Sequence, residues 1–125
     1  MELWEKATMR VAVVGTGYVG LVAGACFADS GHTVTCLDAD PGKIAKLKRG
    51  EIPIYEPGLE DLVKRGTREG RLLFTTSYDE AISSAEVFFL AVGTPPLADG
   101  SPDTQYLEAA SRSVGRAMEK SKNRE

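Results

Sequence analysis

Arg10-Val11-Ala12-Val13-Val14-Gly15-Thr16-Gly17-Tyr18-Val19-Gly20 decides the fold. Its first half is a short apolar run that stops at a glycine, the pattern of a strand buried on both faces. Its second half spaces three glycines as Gly-x-Gly-x-x-Gly. An apolar stretch from Val19 to Asp29 follows and reads as a largely buried helix, with Gly31 just past its end. Glycine spacing by itself is a weak signal, since most glycines in a turn only make the turn. A strand before it and a helix after it make it much stronger. Each glycine then has a task. Gly15 permits the tight turn, Gly17 lets the backbone approach a pyrophosphate, and Gly20 lets helix and strand pack closely. The first helical turn offers N–H groups and the positive end of the helix dipole to the phosphate charge.

Outward from this stretch, strands and helices alternate. Thr33 to Leu37 reads as a second strand, stopped by Asp38. Asp40-Pro41 is a helix entry, with Asp capping and Pro at the first helical position, and Ile44 and Leu47 give that helix an apolar edge. Glu51 to Pro57 carries two prolines and reads as an ordered loop, and Leu59, Leu62 and Val63 mark a short helix ending by Gly66. Leu72 to Thr75 is a third strand, Asp79 to Ser84 a short helix, and Glu86 to Val92 a strongly apolar fourth strand. A loop rich in Gly, Pro and Asp runs from Gly93 to Pro102. The last helix spans about Asp103 to Lys120, with Leu107, Ala110, Val114 and Met118 at helical spacing. The alternation predicts an α/β fold: a Rossmann-type parallel sheet with helices on both faces. Right-handed crossovers favour the strand order 3-2-1-4. Residues 1–8 read as a polar extension, 9–120 as the nucleotide-binding domain, and 121–125 as a polar tail.

Asp38 stands eighteen residues after Gly20, at the end of the second strand. There its carboxylate accepts hydrogen bonds from the adenosine ribose hydroxyls and repels a 2′-phosphate. Ala39 follows it, not an arginine that would hold such a phosphate, which favours NAD over NADP. Lys43, one turn into the next helix, reaches toward the same ribose and leaves some NADP tolerance open, although a helical lysine is as often simply solvated. Tyr18 and Val19 lie beside the ligand by backbone position, whether or not their side chains only pack.

Composition sets the outer bounds. The chain has 125 residues, 42% hydrophobic and 26% charged, as in an ordinary globular domain. At this length a folded domain buries roughly two-thirds of the surface its unfolded chain exposes, so one core is possible and a cleft between two large domains is not. A net charge of -3 gives no basic footprint for nucleic acid. No apolar stretch is long enough to span a membrane, and no secretory signal opens the chain, so a cytoplasmic location is expected. Cys26 and Cys36 form no CxxC pair, so we expect no metal site and read both as reduced, buried and apolar. His32 reads as an exposed turn residue ahead of any catalytic role.

Three motifs carry a resemblance. Val13-Val14-Gly15-Thr16-Gly17-Tyr18-Val19-Gly20-Leu21, Gly50-Glu51-Ile52-Pro53-Ile54-Tyr55-Glu56-Pro57-Gly58-Leu59 and Ala91-Val92-Gly93-Thr94-Pro95 closely resemble those of the UDP-glucose/GDP-mannose dehydrogenases. Their wording is most similar to that of the members that oxidise UDP-glucose to UDP-glucuronate. The resemblance runs from Met9 to about Met118. It implies oxidation of a sugar-nucleotide C6 alcohol to a carboxylate with two NAD, through a covalent thiohemiacetal and thioester on a cysteine. By motif matching it makes Val19, Asp38, Lys43 and Thr94 cofactor contacts. Thr94 also reads as a loop cap, and the Glu51–Leu59 loop as a seal on the sheet edge.

The resemblance also has limits. Neither Cys26 nor Cys36 falls at the family's catalytic position, and no fifth strand follows the last helix. We therefore expect the cofactor-binding portion of such an enzyme, inactive alone, with no catalytic residue, its parent a homo-oligomer taking a UDP-sugar. The competing expectations are a stand-alone nucleotide-binding module that has lost catalysis, and a GDP-mannose or UDP-N-acetylmannosamine dehydrogenase portion. A flavin-binding domain would leave Thr94-Pro95 unexplained.

Overall fold

The computed structural model describes residues 8–121; most of the expected N-terminal extension and all but the first residue of the expected tail lie outside the described residues. The elements run β1 (Arg10–Val14), α1 (Tyr18–Asp29), β2 (Thr33–Leu37), α2 (Pro41–Lys48), α3 (Leu59–Arg68), β3 (Leu72–Thr75), α4 (Tyr78–Ile82), β4 (Val87–Leu90) and α5 (Gln105–Lys120). The four strands form one parallel sheet in the order β3-β2-β1-β4, as the crossover rule predicts.

Side-chain alternation builds a core on each face. Along β1, Val11 and Val13 point to one side, where they join Leu21 and Ala25 of α1, Ile44 and Leu47 of α2, and Leu59 and Val63 of α3. Ala12 and Val14 point to the other, against Ala81 and Ile82 of α4 and Ala110, Val114 and Ala117 of α5. A strand covered on both faces has no polar side to show, hence its unbroken apolar run. Leu21, Leu47, Leu72 and Ile82 are fully buried, each worth about 1.5–3 kcal/mol of transfer from water. In the loop before α3, Ile52 and Ile54 pack against the first core.

Several expectations need correction. Cys26 is exposed, not buried: α1 is apolar all round but inserts only the stripe Gly20, Leu21, Gly24, Ala25 and Ala28, which Cys26 misses. Gly66 does not end α3 but lies inside it, because a Cβ there would come within 3.0 Å of the Leu72 Cβ. On α5 the inner row is Ala110, Val114 and Ala117, leaving Met118 exposed; a period of 3.6 residues favours 117 over 118. β4 is shorter than its apolar run, and Phe89 and Leu90 are partly exposed, Phe89 lying against the Phe27 ring at 5.1 Å. His32 is half-buried, its Nδ1 accepting the Met9 N–H at 3.0 Å.

Candidate cofactor site

Parallel strands bring all their C-terminal ends to one edge, and a crevice opens where the strand order reverses. Here the chain winds from β1 out to β3, then crosses back to place β4 on the far side of β1. Two backbone bonds fix that edge: Gly15 N–H to Leu37 O, and Ala91 N–H to Val14 O, both 2.7 Å. Gly15 has φ +106°, a left-handed conformation that favours glycine, and a Cβ there would come within 2.6 Å of the Ala91 carbonyl oxygen. A Cβ on Gly20 would stand 1.9 Å from the Gly15 oxygen. Gly17 differs, since a Cβ there would meet nothing within 4 Å. Gly15 and Gly20 are thus required by the protein's own packing, whereas at Gly17 the space lies open to a ligand. Gly17 also caps α1 without a side-chain hydrogen bond, and the first turn carries no acidic residue. The helix start is left to an anion.

Asp38 is held from two sides. Its Oδ2 accepts the Thr16 N–H at 3.0 Å and the Thr16 hydroxyl at 2.7 Å, and its Oδ1 accepts the Asp40 N–H at 3.1 Å. Lys43 Nζ stands 3.6 Å from Oδ2. Burial pushes this carboxyl's pKa up, but the Thr16 and Asp40 hydrogen bonds and the Lys43 charge outweigh it and leave it below the ordinary value. Asp38 therefore stays an anion at neutral pH, with acceptor capacity left for hydroxyl donors. Lys43 is placed by the α2 cap, where Asp40 accepts the Gly42 and Lys43 N–H groups.

A cavity of about 570 Å³ lies over this edge. Of the residues singled out from sequence, Gly15, Gly17, Asp38 and Lys43 line it. Gly20 is buried beneath the turn, and Tyr18, Val19 and Thr94 are exposed outside the lining. The Tyr18 hydroxyl instead donates to Glu56 Oε2 at 2.8 Å, and that carboxylate holds the phenol's pKa above its usual value. Sequence reasoning missed Thr16, which is fully buried, and the far wall of Tyr78, Tyr106, Ala109, Ala110 and Ser113. The available signal was the parallel sheet itself, which carries the segments after β3 and β4 to the same edge. Neither cysteine lines the cavity, and burial pushes the Cys36 thiol up to about 12. Among the described residues no cluster of His, Cys, Asp and Glu could hold a metal ion, and no helix is long and apolar enough to cross a membrane.

Residues 9–123 match the model of the UDP-glucose/GDP-mannose dehydrogenase family, NAD binding domain. The chain belongs to this family. The UDP-glucose/GDP-mannose dehydrogenase pattern also appears in individual relatives. UDP-glucose 6-dehydrogenase of Rhizobium meliloti (strain 1021) is 50% identical over 107 residues, 85% of this chain and 24% of the relative. The UDP-glucose dehydrogenase structure from Pyrobaculum islandicum superposes with a TM-score of 0.90 at 41% identity, covering 97% of this chain and 28% of that one. A ternary-complex structure of GDP-mannose dehydrogenase from Pseudomonas aeruginosa gives 0.85 at 40% identity, covering 88% and 25%. The chain thus spans about a quarter of the length of the relatives it matches. It is an NAD-binding domain of an oxidoreductase family, and the glycine turn, the open Gly17 and the fixed Asp38 fit that cofactor.

Proposed function

We propose that this chain is the NAD-binding portion of a cytoplasmic, homo-oligomeric dehydrogenase that oxidises UDP-glucose to UDP-glucuronate. The cofactor contacts are Gly15, Gly17, Tyr18, Val19, Gly20, Asp38, Lys43 and Thr94. The domain runs over residues 9–120, and the 125 residues alone carry no catalytic group. The observation that carries the cofactor assignment is Asp38, locked by Thr16 and Asp40 beside an open Gly17.

NAD, when bound, accepts hydride from the alcohol being oxidised. The residues here bind and orient it. The α1 start and the side-chain-free Gly17 receive the pyrophosphate. Asp38 accepts the ribose hydroxyls, while Lys43 balances its charge. Tyr18 and Thr94 adjoin lining residues along the chain, Val19 follows Tyr18, and all three are exposed, which supports their meeting a ligand longer than the cavity. The substrate choice is supported by the identity of 50% to the Rhizobium meliloti UDP-glucose enzyme, against 39% to the GDP-mannose 6-dehydrogenase of Pseudomonas aeruginosa.

Calorimetric titration of the 125-residue chain with NAD, beside an Asp38→Ala variant, tests the cofactor contacts. Binding weakened about tenfold or more by the substitution is expected, the loss of a charged hydrogen-bonding partner. A folded wild type that binds no NAD would remove the assignment. For the substrate, the complete reading frame carrying this chain is offered UDP-glucose and GDP-mannose with NAD. Preferential oxidation of GDP-mannose would overturn the choice.

A further inference from the structure

Some residues that line the cavity belong to neither the glycine turn nor the ribose clamp. Tyr78, the first residue of α4, and Ser113 of α5 are among them. The same two residues line a second hollow of about 250 Å³, together with Arg116 and Lys120. They are therefore the partition between the two spaces.

A charged donor reaches that partition from the smaller hollow. Arg116 Nη2 donates to Ser113 Oγ at 3.4 Å. A guanidinium only donates, so Ser113 oxygen is an acceptor there and its single proton goes elsewhere. Ser113 stands beside the Tyr78 phenol in both linings. Lys120 is engaged by Asp79 at 3.4 Å. Burial, and the negative charge of nearby Asp38, hold the phenol above its ordinary pKa against the opposing effect of Ser113. Tyr78 is thus a protonated donor at any physiological pH. Ala109 and Ala110, with small side chains, line the same cavity as the phenol.

We propose that Tyr78 reads the nucleobase of the cofactor, donating its hydroxyl proton to a ring nitrogen of a purine while its ring walls the base, with Ser113 and Arg116 as positioning residues. This rests on the cofactor reading above. Adenine fits because its ring nitrogens are acceptors, whereas a ligand without a base gains nothing from the phenol.

Two ligands separate base reading from general packing: NAD, and ribose 5-diphosphate, which keeps the ribose and phosphates but lacks the base. Each is titrated into the chain, into Tyr78→Phe and into Ser113→Ala, with thermal melts to verify folding. Tyr78→Phe is expected to weaken NAD about three- to tenfold, one hydrogen bond's worth, and to leave ribose 5-diphosphate unchanged. Ser113→Ala gives the same split at smaller amplitude, and Ser113→Thr restores it. A Tyr78→Phe variant that binds NAD like the wild type, or loses both ligands equally, overturns base reading while leaving the cofactor assignment standing. A wild type that binds no NAD overturns both.

Discussion

Thr16 shows how one residue can govern a charge it does not carry. It is fully buried, and both its N–H and its hydroxyl serve Asp38 Oδ2. A partly buried carboxylate must be hydrogen-bonded to remain charged. Thr16→Val keeps the shape and removes one of those donors. We expect a loss of about 1.5–3 kcal/mol at neutral pH, the usual range for a hydrogen bond to a charged group. The pH dependence has a definite sign. Asp38 is depressed below its ordinary value of 3.8, so its contribution is present above that value and fades as pH falls through the folded pKa. Urea unfolding at about pH 7 and about pH 3 should therefore show the gap between wild type and variant closing in acid. An equal gap at both would mean that Thr16 serves packing, not the charge. Asp38 was legible from sequence because it ends a strand at the expected distance from the glycines. Thr16 was not, because the turn's geometry, not any residue pattern, decides which intervening position points inward.

Among the elements, strands β1 and β2 were legible to the residue, β1 because a strand covered on both faces runs apolar up to its glycine, and β2 because its β-branched run stops at Asp38. Helices were legible in existence but less so in which side they bury. Position 26 of α1 looked like core because its neighbours are apolar, yet packing against a sheet needs only one stripe. Gly66 looked like a stop because glycine usually is one, yet its role is close approach to β3. The same kind of approach joins α1 to β2: a Cβ on Gly24 would stand 2.7 Å from the Cys36 sulfur, itself completely buried. Gly24→Ala should cost about 1–3 kcal/mol by overpacking, despite alanine's better helix propensity. Cys36→Ala removes the obstructing sulfur but alone leaves a void. The double variant should recover part of both losses, a coupling of at least about 0.5 kcal/mol in thermal or urea unfolding. Strictly additive losses would show that α1 and β2 do not meet at this pair.

For the molecule as a whole, the strand order followed from crossover handedness, and with it the edge on which a ligand must sit. The far wall of the cavity did not follow, because α4 and α5 reach it from segments more than forty residues past the glycine turn, with no motif of their own. That wall decides which part of the cofactor this chain can hold. β1, β2 and β3 with their helices form a complete mononucleotide unit on one side of the switch point, the side that carries Asp38. Of the polar side chains assigned here to the ligand, Asp38, Lys43 and Tyr78 line the cavity, while Tyr18 and Thr94 stand outside its lining. The adenosine and pyrophosphate should then supply most of the affinity. Competition calorimetry on the 125-residue chain is expected to place ADP within about tenfold of NAD, a difference of about 1.4 kcal/mol, and nicotinamide mononucleotide at least about a hundredfold weaker. If nicotinamide mononucleotide competes as well as ADP, the cavity holds the other half of the dinucleotide, and Asp38 is not its ribose clamp.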